Sequence, residues 1–450
     1  MTNPPTVPKR ITTALFSSLG AGVVPRTGIE HIVVGRKPEI EAVLGDLANV
    51  AEGGAGFRVI SGRYGAGKSF LLQLLRNYAM NRNFVVADAD LSPERRLTGS
   101  KGQGLATYRE LARNLSTRVR PDGGALPAML EKWISGVQGQ VVAAGITPSD
   151  PRFGNAVEAR IHEAVNELEG LVHGFDFASV ISAYWRGHQL GNDELKNAAL
   201  KWLRGEYSTK TEAREALGVR VIIDDDTWYD YVKLLAQFVK AIGYAGLVVV
   251  IDEAVNLYKI TQSVSRHANY EKLLTMLNDT LQGRAQYLQL LVGATPQMVD
   301  DTRRGLFSYE ALRTRLEQSR FARDGLQDYA GPVLRLETLS NEEVYTLLTT
   351  LRRLHALHHG YATTISDEEL LEFMNEVLAR LGAGGFLTPR DLTRDFVTVL
   401  NLLRQNPEQT FLGLVKGPDF VPSKTDVLAE VRREEAVPVP TSAEFAAFDL

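Results

Sequence analysis

Gly62-Arg63-Tyr64-Gly65-Ala66-Gly67-Lys68-Ser69 follows the apolar run Phe57-Arg58-Val59-Ile60-Ser61 and precedes Phe70, Leu71, Leu72, Leu74 and Leu75 at helical spacing. A strand that ends in a glycine turn and feeds a helix aims several backbone N–H groups and the positive helix end at one point, which suits a polyphosphate. The spacing Gly, four residues, Gly-Lys-Ser therefore assigns Gly62, Tyr64, Gly65, Ala66, Gly67, Lys68, Ser69 and Phe70 to a nucleotide site. Lys68 is expected on the phosphates and Ser69 on the Mg²⁺ that accompanies them. The expected ligand is ATP or GTP.

Almost two hundred residues downstream, Gly246-Leu247-Val248-Val249-Val250-Ile251-Asp252-Glu253 is an unbroken apolar run closed by two carboxylates. That is the form of a fully buried parallel strand whose carboxyl end faces a ligand. Asp252 is placed to hold Mg²⁺ together with Ser69, and Glu253 to orient or deprotonate the attacking water. An Asp-Glu pair after a strand also occurs as a helix cap, but the two motifs in this order favour the nucleotide reading. A third strand, Tyr287 to Thr295, is expected between those two, with Thr295 as a polar sensor of the phosphate; the bland alternative is a turn in front of Pro296. Strands at Phe84 to Ala89 and Pro332 to Leu336 complete a five-stranded parallel sheet.

Arginines crowd the segment after the third strand: Arg303, Arg304, Arg313, Arg315, Arg320 and Arg323. Arg313 or Arg315 is the candidate for a residue that reaches the γ-phosphate of a neighbouring subunit. Pairing with Glu310, Glu317 and Asp324 along a solvated helix is the simpler account of any one of them. Further on, Ser340 with Glu343 and Ser366 with Glu369 read as capping boxes, and Thr388-Pro389 as an N-cap followed by proline. The periodic apolar positions that follow these caps predict a helical lid, with Arg390 at the start of its last helix as a second phosphate sensor. Upstream, Val34, Gly35 and Arg36 stand about twenty-five residues before the glycine turn. An apolar segment, Gly-Arg and an amphipathic helix in that place form the base pocket of initiator-like ATPases, while composition alone gives a surface turn.

A stretch of roughly 155 residues separates the second strand from the Asp252 strand, far beyond the dozen or so of an ordinary crossover. Helical patterns dominate it, at Tyr108 to Val119, Leu126 to Val137, Ala156 to His173, Phe177 to Trp185, Asn192 to Trp202 and Trp228 to Ile242. Trp133, Trp185, Trp202 and Trp228 are expected as core anchors. Asp224-Asp225-Asp226-Thr227 resembles a metal-binding run and is read more simply as an N-cap with dipole complement. Gly99 to Gly104 occupies the place of a pore-lining loop, with a plain glycine linker the more economical reading. The expected organisation is an arm over residues 1–29, an ATPase core over 30–90 and 244–338, a helical insertion over 91–243, a lid over 339–405 and a tail over 406–450.

Composition narrows the alternatives. The chain has 450 residues, 44% of them hydrophobic, and no cysteine, which excludes disulfides, thiolate metal sites and cysteine nucleophiles. The eight histidines lack metal-ligand spacing, and His355, His358 and His359 are read as helix C-terminal residues favoured by the dipole. No stretch approaches the ~18 continuous apolar residues of a membrane span, and the amino terminus lacks an apolar leader core, so a cytoplasmic location without membrane contact is expected. A net charge of −4 leaves DNA contact to a local patch or to assembly into a ring.

GRYGAGKS, the segment Ala89 to Leu97, the stretch IIDDDTWYDYVKLL, VVVIDEAVNLYKI and the closing TPRDLTRDF together resemble the BREX-system ATP-binding family. The resemblance covers roughly residues 30 to 405. It implies an AAA+ type P-loop ATPase found with bacteriophage-defence genes, with Lys68, Ser69, Asp252 and Glu253 as its nucleotide residues. A full winged-helix domain is not expected within residues 406–450, a departure from initiator relatives. The expected activity is Mg²⁺-dependent ATP hydrolysis coupled to assembly or DNA engagement, as a homo-oligomer and beside a helicase, nuclease or modification subunit. The alternative is a nucleotide-binding regulatory scaffold that hydrolyses little and binds a partner protein.

Overall fold

The computed structural model describes residues 7–169, 172–318, 328–381 and 388–423. Two helices, α1 (Lys9–Gly20) and α2 (Lys37–Ala51), precede β1 (Ala55–Gly62), α3 (Lys68–Asn81) and β2 (Val85–Asp90). A helical run follows: α4 (Gln103–Arg113), α5 (Leu126–Ala143), α6 (Phe153–Glu169), α7 (Gly174–Leu190), α8 (Asp193–Leu203), α9 (Lys210–Leu217) and α10 (Trp228–Ala241). The chain then returns to the sheet through β3 (Leu247–Asp252), α11 (Val255–Tyr258), α12 (Ser263–Leu281), β4 (Leu288–Ala294), α13 (Pro296–Asp300), α14 (Glu310–Leu316) and β5 (Val333–Leu336). Four helices close the described chain: α15 (Asn341–His359), α16 (Asp367–Leu381), α17 (Pro389–Gln405) and α18 (Phe411–Lys416).

The five strands form one parallel sheet in the order β2-β3-β4-β1-β5. The third strand of the sequence reading thus lies between the two motif strands, as expected. Parallel strands put all their carboxyl ends on one edge, where open α/β sheets take their ligands. Register sets Asp90 directly opposite Asp252, and Ile251 opposite Val292. β3 reads as a continuous apolar run because both its faces are covered, and Leu247 to Ile251 are all buried.

The chain divides into two compact units, one of residues 1–41, 60–75 and 334–450, the other of residues 42–59 and 76–333. In the second, one continuous core runs from β2, β3 and β4 into α4, α5, α7, α8 and α10. The four tryptophans are buried in it, as the sequence indicates. Trp133 meets Phe238 edge-on at 5.5 Å and Trp202 meets Tyr231 at 5.3 Å. Indole N–H groups in that core need acceptors; Trp202 donates to the Val221 carbonyl at 2.8 Å and Trp228 to that of Leu97 at 2.9 Å.

The expected helix from Tyr108 to Val119 instead begins at Gln103 and stops at Arg113. The chain then turns so that Ser116 exchanges backbone bonds of 2.7 and 2.9 Å with Val86. β2 is an edge strand, and the bridge covers part of its unpaired backbone. Buried Arg76 fixes the turn through Asp88 at 3.0 Å, the Ser116 hydroxyl at 2.7 Å and the Pro121 carbonyl. α9, capped by the Thr209 hydroxyl, was not expected from the sequence.

In the first unit, Leu15, Phe16 and Leu19 of α1 pack into the core of α15 to α18. The sequence reading treats this segment as an arm, whereas three apolar residues on one face make it a core helix. Both capping boxes form, with Ser340 and Glu343 bonded reciprocally at 2.9 and 3.2 Å and Ser366 and Glu369 at 2.8 and 3.2 Å. Among the described residues no helix is long and apolar enough to cross a membrane.

Candidate functional site

The loop between β1 and α3 is shaped by its own glycines. Gly65 has a φ of +77°, and a Cβ there would stand 2.7 Å from the Thr388 methyl, so only glycine gives both the turn and the approach. Lys68 opens α3 and folds its ammonium back over the loop, donating to the carbonyls of Gly62 at 2.8 Å and Arg63 at 3.3 Å. Ala66 is buried beneath the loop, Ser69 is exposed, and Phe70 packs against the core of the same unit. The first N–H groups of α3 point out of the helix end, together with the positive end of its dipole.

Two side chains of this unit brace the loop from behind. Arg36, itself at a φ of +64°, donates to the Ala66 carbonyl at 3.0 Å and to that of Glu337 just past β5, with Glu39 at 3.4 Å. Its guanidinium therefore serves the loop backbone. Gly35 lies so close to Glu343 that a Cβ would sit 2.2 Å from the carboxylate already engaged in the α15 capping box, and Val34 packs against the apolar core. At the amino end of α17, Thr388 accepts from Asp391 N–H at 3.1 Å, which sets that helix end against Gly65. Arg390, two residues on, donates through Nε to the Gly22 carbonyl beyond α1. Sequence marks Thr388 as an N-cap but shows neither its approach to Gly65 nor the Gly22 carbonyl that Arg390 meets, since both partners arrive from far along the chain.

The second unit holds the acidic end of β3. The Asp252 carboxylate accepts from Glu253 N–H at 2.8 Å, and the Asp252 carbonyl accepts from Leu91 N–H at 3.0 Å. Glu253 is exposed and adopts a φ of +56°, rare for a residue with a side chain. Asp90, in register with Asp252, is exposed as a residue; desolvation of its carboxyl, followed by the charges of Asp252 and Asp88, raises its pKa above the ordinary carboxylate value. Thr295, directly after β4, is buried, and its hydroxyl accepts from Met298 N–H at 3.3 Å as the N-cap of α13. The bland alternative is a turn in front of Pro296; in the structure Thr295 instead caps the short helix that Pro296 opens.

Other sequence candidates have local partners. Arg313 lies 3.7 Å from Glu317 across one helical turn, and Arg315 donates to the Ala311 carbonyl at 2.7 Å. Arg304 is drawn inward to the carbonyls of Tyr258 and Ile260 at 2.9 and 3.0 Å. Arg320 and Arg323, like the tail after residue 423, lie outside the described residues. The aspartate run is structural. Asp224 accepts from the hydroxyl and N–H of Thr227 at 2.7 and 3.0 Å, and Asp225 accepts from the N–H groups of Gly99, Gly104 and Leu105 at 2.8, 2.6 and 3.0 Å. Those glycine-loop donors, which a phosphate could have used, are committed to Asp225. Among the described residues no group of three or more His, Cys, Asp or Glu side chains is arranged to hold a metal ion.

The histidines of α15 do more than complement a dipole. His355 is fully buried, bonded to the Tyr361 hydroxyl at 2.8 Å and to Asn401 at 3.2 Å, and burial pulls its pKa down to about 4. It is a neutral core residue.

Comparison with curated proteins returns no match. The sequence model of the family described as BREX system ATP-binding protein BrxC/D matches residues 7–417, from the start of α1 to the end of α18, and so includes both units, the glycine loop and the Asp252-Glu253 strand end. The chain belongs to the BREX-system ATP-binding protein family.

Proposed function

We propose that the protein is an Mg²⁺-dependent ATPase of AAA+ type, which couples ATP binding and hydrolysis to assembly or DNA engagement with other components of a BREX defence system. The observation that carries the reading is the glycine loop at the carboxyl end of β1, braced by Arg36, in a parallel sheet whose strand β3 ends at Asp252 and is followed by Glu253. Loop N–H groups and Lys68 would cradle the phosphates. Ser69 and Asp252 supply a hydroxyl and a carboxylate, the hard oxygen donors that Mg²⁺ takes, and the bound ion would neutralise charge on the terminal phosphates. Glu253 would orient or deprotonate the water, and Thr295 and Arg390 would sense the phosphate at the sheet edge and at α17, the helix of the lid. Arg313 or Arg315 acts only if a second copy brings the arginine to its neighbour's nucleotide, a role their surface position on α14 permits.

Phosphate release measured with and without duplex and single-stranded DNA tests this directly. Glu253→Gln is expected to cut turnover by roughly 10²- to 10⁴-fold while ATP binding is retained. Turnover that is absent from the unaltered chain in every condition, with ATP still bound, supports the regulatory-scaffold reading instead.

A further inference from the structure

The turn that carries Glu253 is held in a conformation that glutamate seldom adopts, at a φ of +56°. Left-handed backbone at a residue with a side chain persists only where the surroundings impose it. Here the neighbours do so from both ends. Ala254 N–H donates to the Gly293 carbonyl of β4 at 3.1 Å, and Asn256 N–H donates to the Glu253 carbonyl at 3.0 Å. The Asn256 side-chain amide then spans two carbonyls, that of Glu253 at 3.2 Å and that of Leu91 at 2.9 Å. Leu91 follows directly on β2 and itself donates to Asp252.

Asn256 is half-buried between Val255 and Leu257, which are buried in the core. Its carbonyl-facing donors cannot be supplied by aspartate, which has the same shape but only acceptors when ionised. The residue also lies at the near end of a pinned segment. Asn269 holds Leu97 and Thr98 at 2.9 and 3.1 Å, and Asp225 holds Gly99, Gly104 and Leu105. Displacement of the chain between β2 and α4 therefore reaches the Glu253 turn through the Asn256 amide and through the Leu91 bond to the Asp252 carbonyl.

We propose that Asn256 is a positioning residue for Glu253: by bridging the carbonyls of Glu253 and Leu91, its amide locks the left-handed turn and ties it to the segment after β2. The inference rests on Glu253 acting on the attacking water, so two independent readouts are needed. Backbone amide exchange over residues 253–257, without nucleotide, reads the tie itself, and steady-state ATP turnover reads its consequence.

Asn256→Asp and Asn256→Ala are expected to speed exchange over 253–257 while the rest of the second unit stays protected. They are also expected to lower kcat by at least about tenfold, with KM for ATP within about twofold, because a catalytic group is misplaced and ground-state binding is untouched. Unchanged exchange and full turnover in both variants, beside a Glu253→Gln chain that has lost turnover, overturn the proposal and leave the ATPase reading intact. Exchange that rises across the whole second unit overturns it too, since Asn256 would then be a general fold residue. Faster exchange confined to the turn, in a protein whose unaltered form releases no phosphate, upholds the tie and sinks the ATPase reading.

Discussion

Arg36 shows at the scale of a single residue how a loop of glycines is kept in one shape. Its guanidinium reaches the carbonyls of Ala66 and Glu337 and so joins the glycine loop to the chain beyond β5. A planar fork of fixed donors suits that task, and an ammonium does not. Arg36→Lys is therefore expected to weaken nucleotide binding nearly as much as Arg36→Ala, by several-fold to roughly tenfold for the loss of hydrogen bonds from a charged donor. Titration with a fluorescent ATP analogue checks this, and a lysine variant that binds like the unaltered chain removes the bracing role. Lys68, Ser69 and the glycines are legible in sequence as a candidate site because the chemistry of a phosphate ligand would fix both their type and their spacing. Arg36 was also visible, as part of a base pocket, but its partners were not: they stand 30 and 301 positions away. Asn256 left no trace, because an asparagine three residues after a glutamate is ordinary until the backbone around it is known.

Single elements are held by contacts of two ranges, and sequence shows only one of them. Capping boxes at Ser340 and Ser366 are written within four residues and appear as read. α4, by contrast, has no capping side chain of its own and takes Asp225 from 120 residues downstream. Removing that acceptor with Asp225→Ala strands three N–H groups, and a loss of about 1–3 kcal/mol is expected in urea unfolding; a change within error contradicts the assignment. α1 is a further element that sequence did not show as part of a core, since its buried face is defined by α15 and α17. Phe16 packs edge-on to His355 at 5.2 Å, and the Thr12 hydroxyl meets His358 at 2.7 Å. Burial, the neighbouring imidazoles and Arg404 of α17 hold His355 neutral, with a folded pKa of about 4 against an ordinary 6.5. The unfolded chain thus binds a proton at higher pH than the folded one. The stabilising term is fully present above pH 6.5 and is lost as pH falls toward 4. Urea midpoints measured across that window are expected to fall less steeply in His355→Phe than in the unaltered chain, and parallel slopes contradict the burial argument.

Over the whole molecule, the α/β class, the number of strands and the place of β4 between β3 and β1 follow from two motifs and three apolar runs. The insertion was legible as helices but its depth was not. Its tryptophans share one core with the sheet, a consequence of long-range packing that periodicity does not encode. A net charge of −4 makes any DNA contact a local matter. If phosphates are held, affinity must fall steeply between about 50 and 200 mM salt, and a flat titration removes DNA from the proposed function. Assembly through Arg313 or Arg315 predicts a larger particle with a non-hydrolysable nucleotide than without it, read by light scattering. All of these rest on the loop after β1 being the seat of the triphosphate. Equilibrium ATP binding to Lys68→Ala is the direct measurement: affinity should fall at least about thirtyfold, as expected when one partner of a buried charge pair is removed, with the melting temperature of the free protein unchanged. An alanine variant that binds ATP as tightly as the unaltered chain would contradict the account at its base.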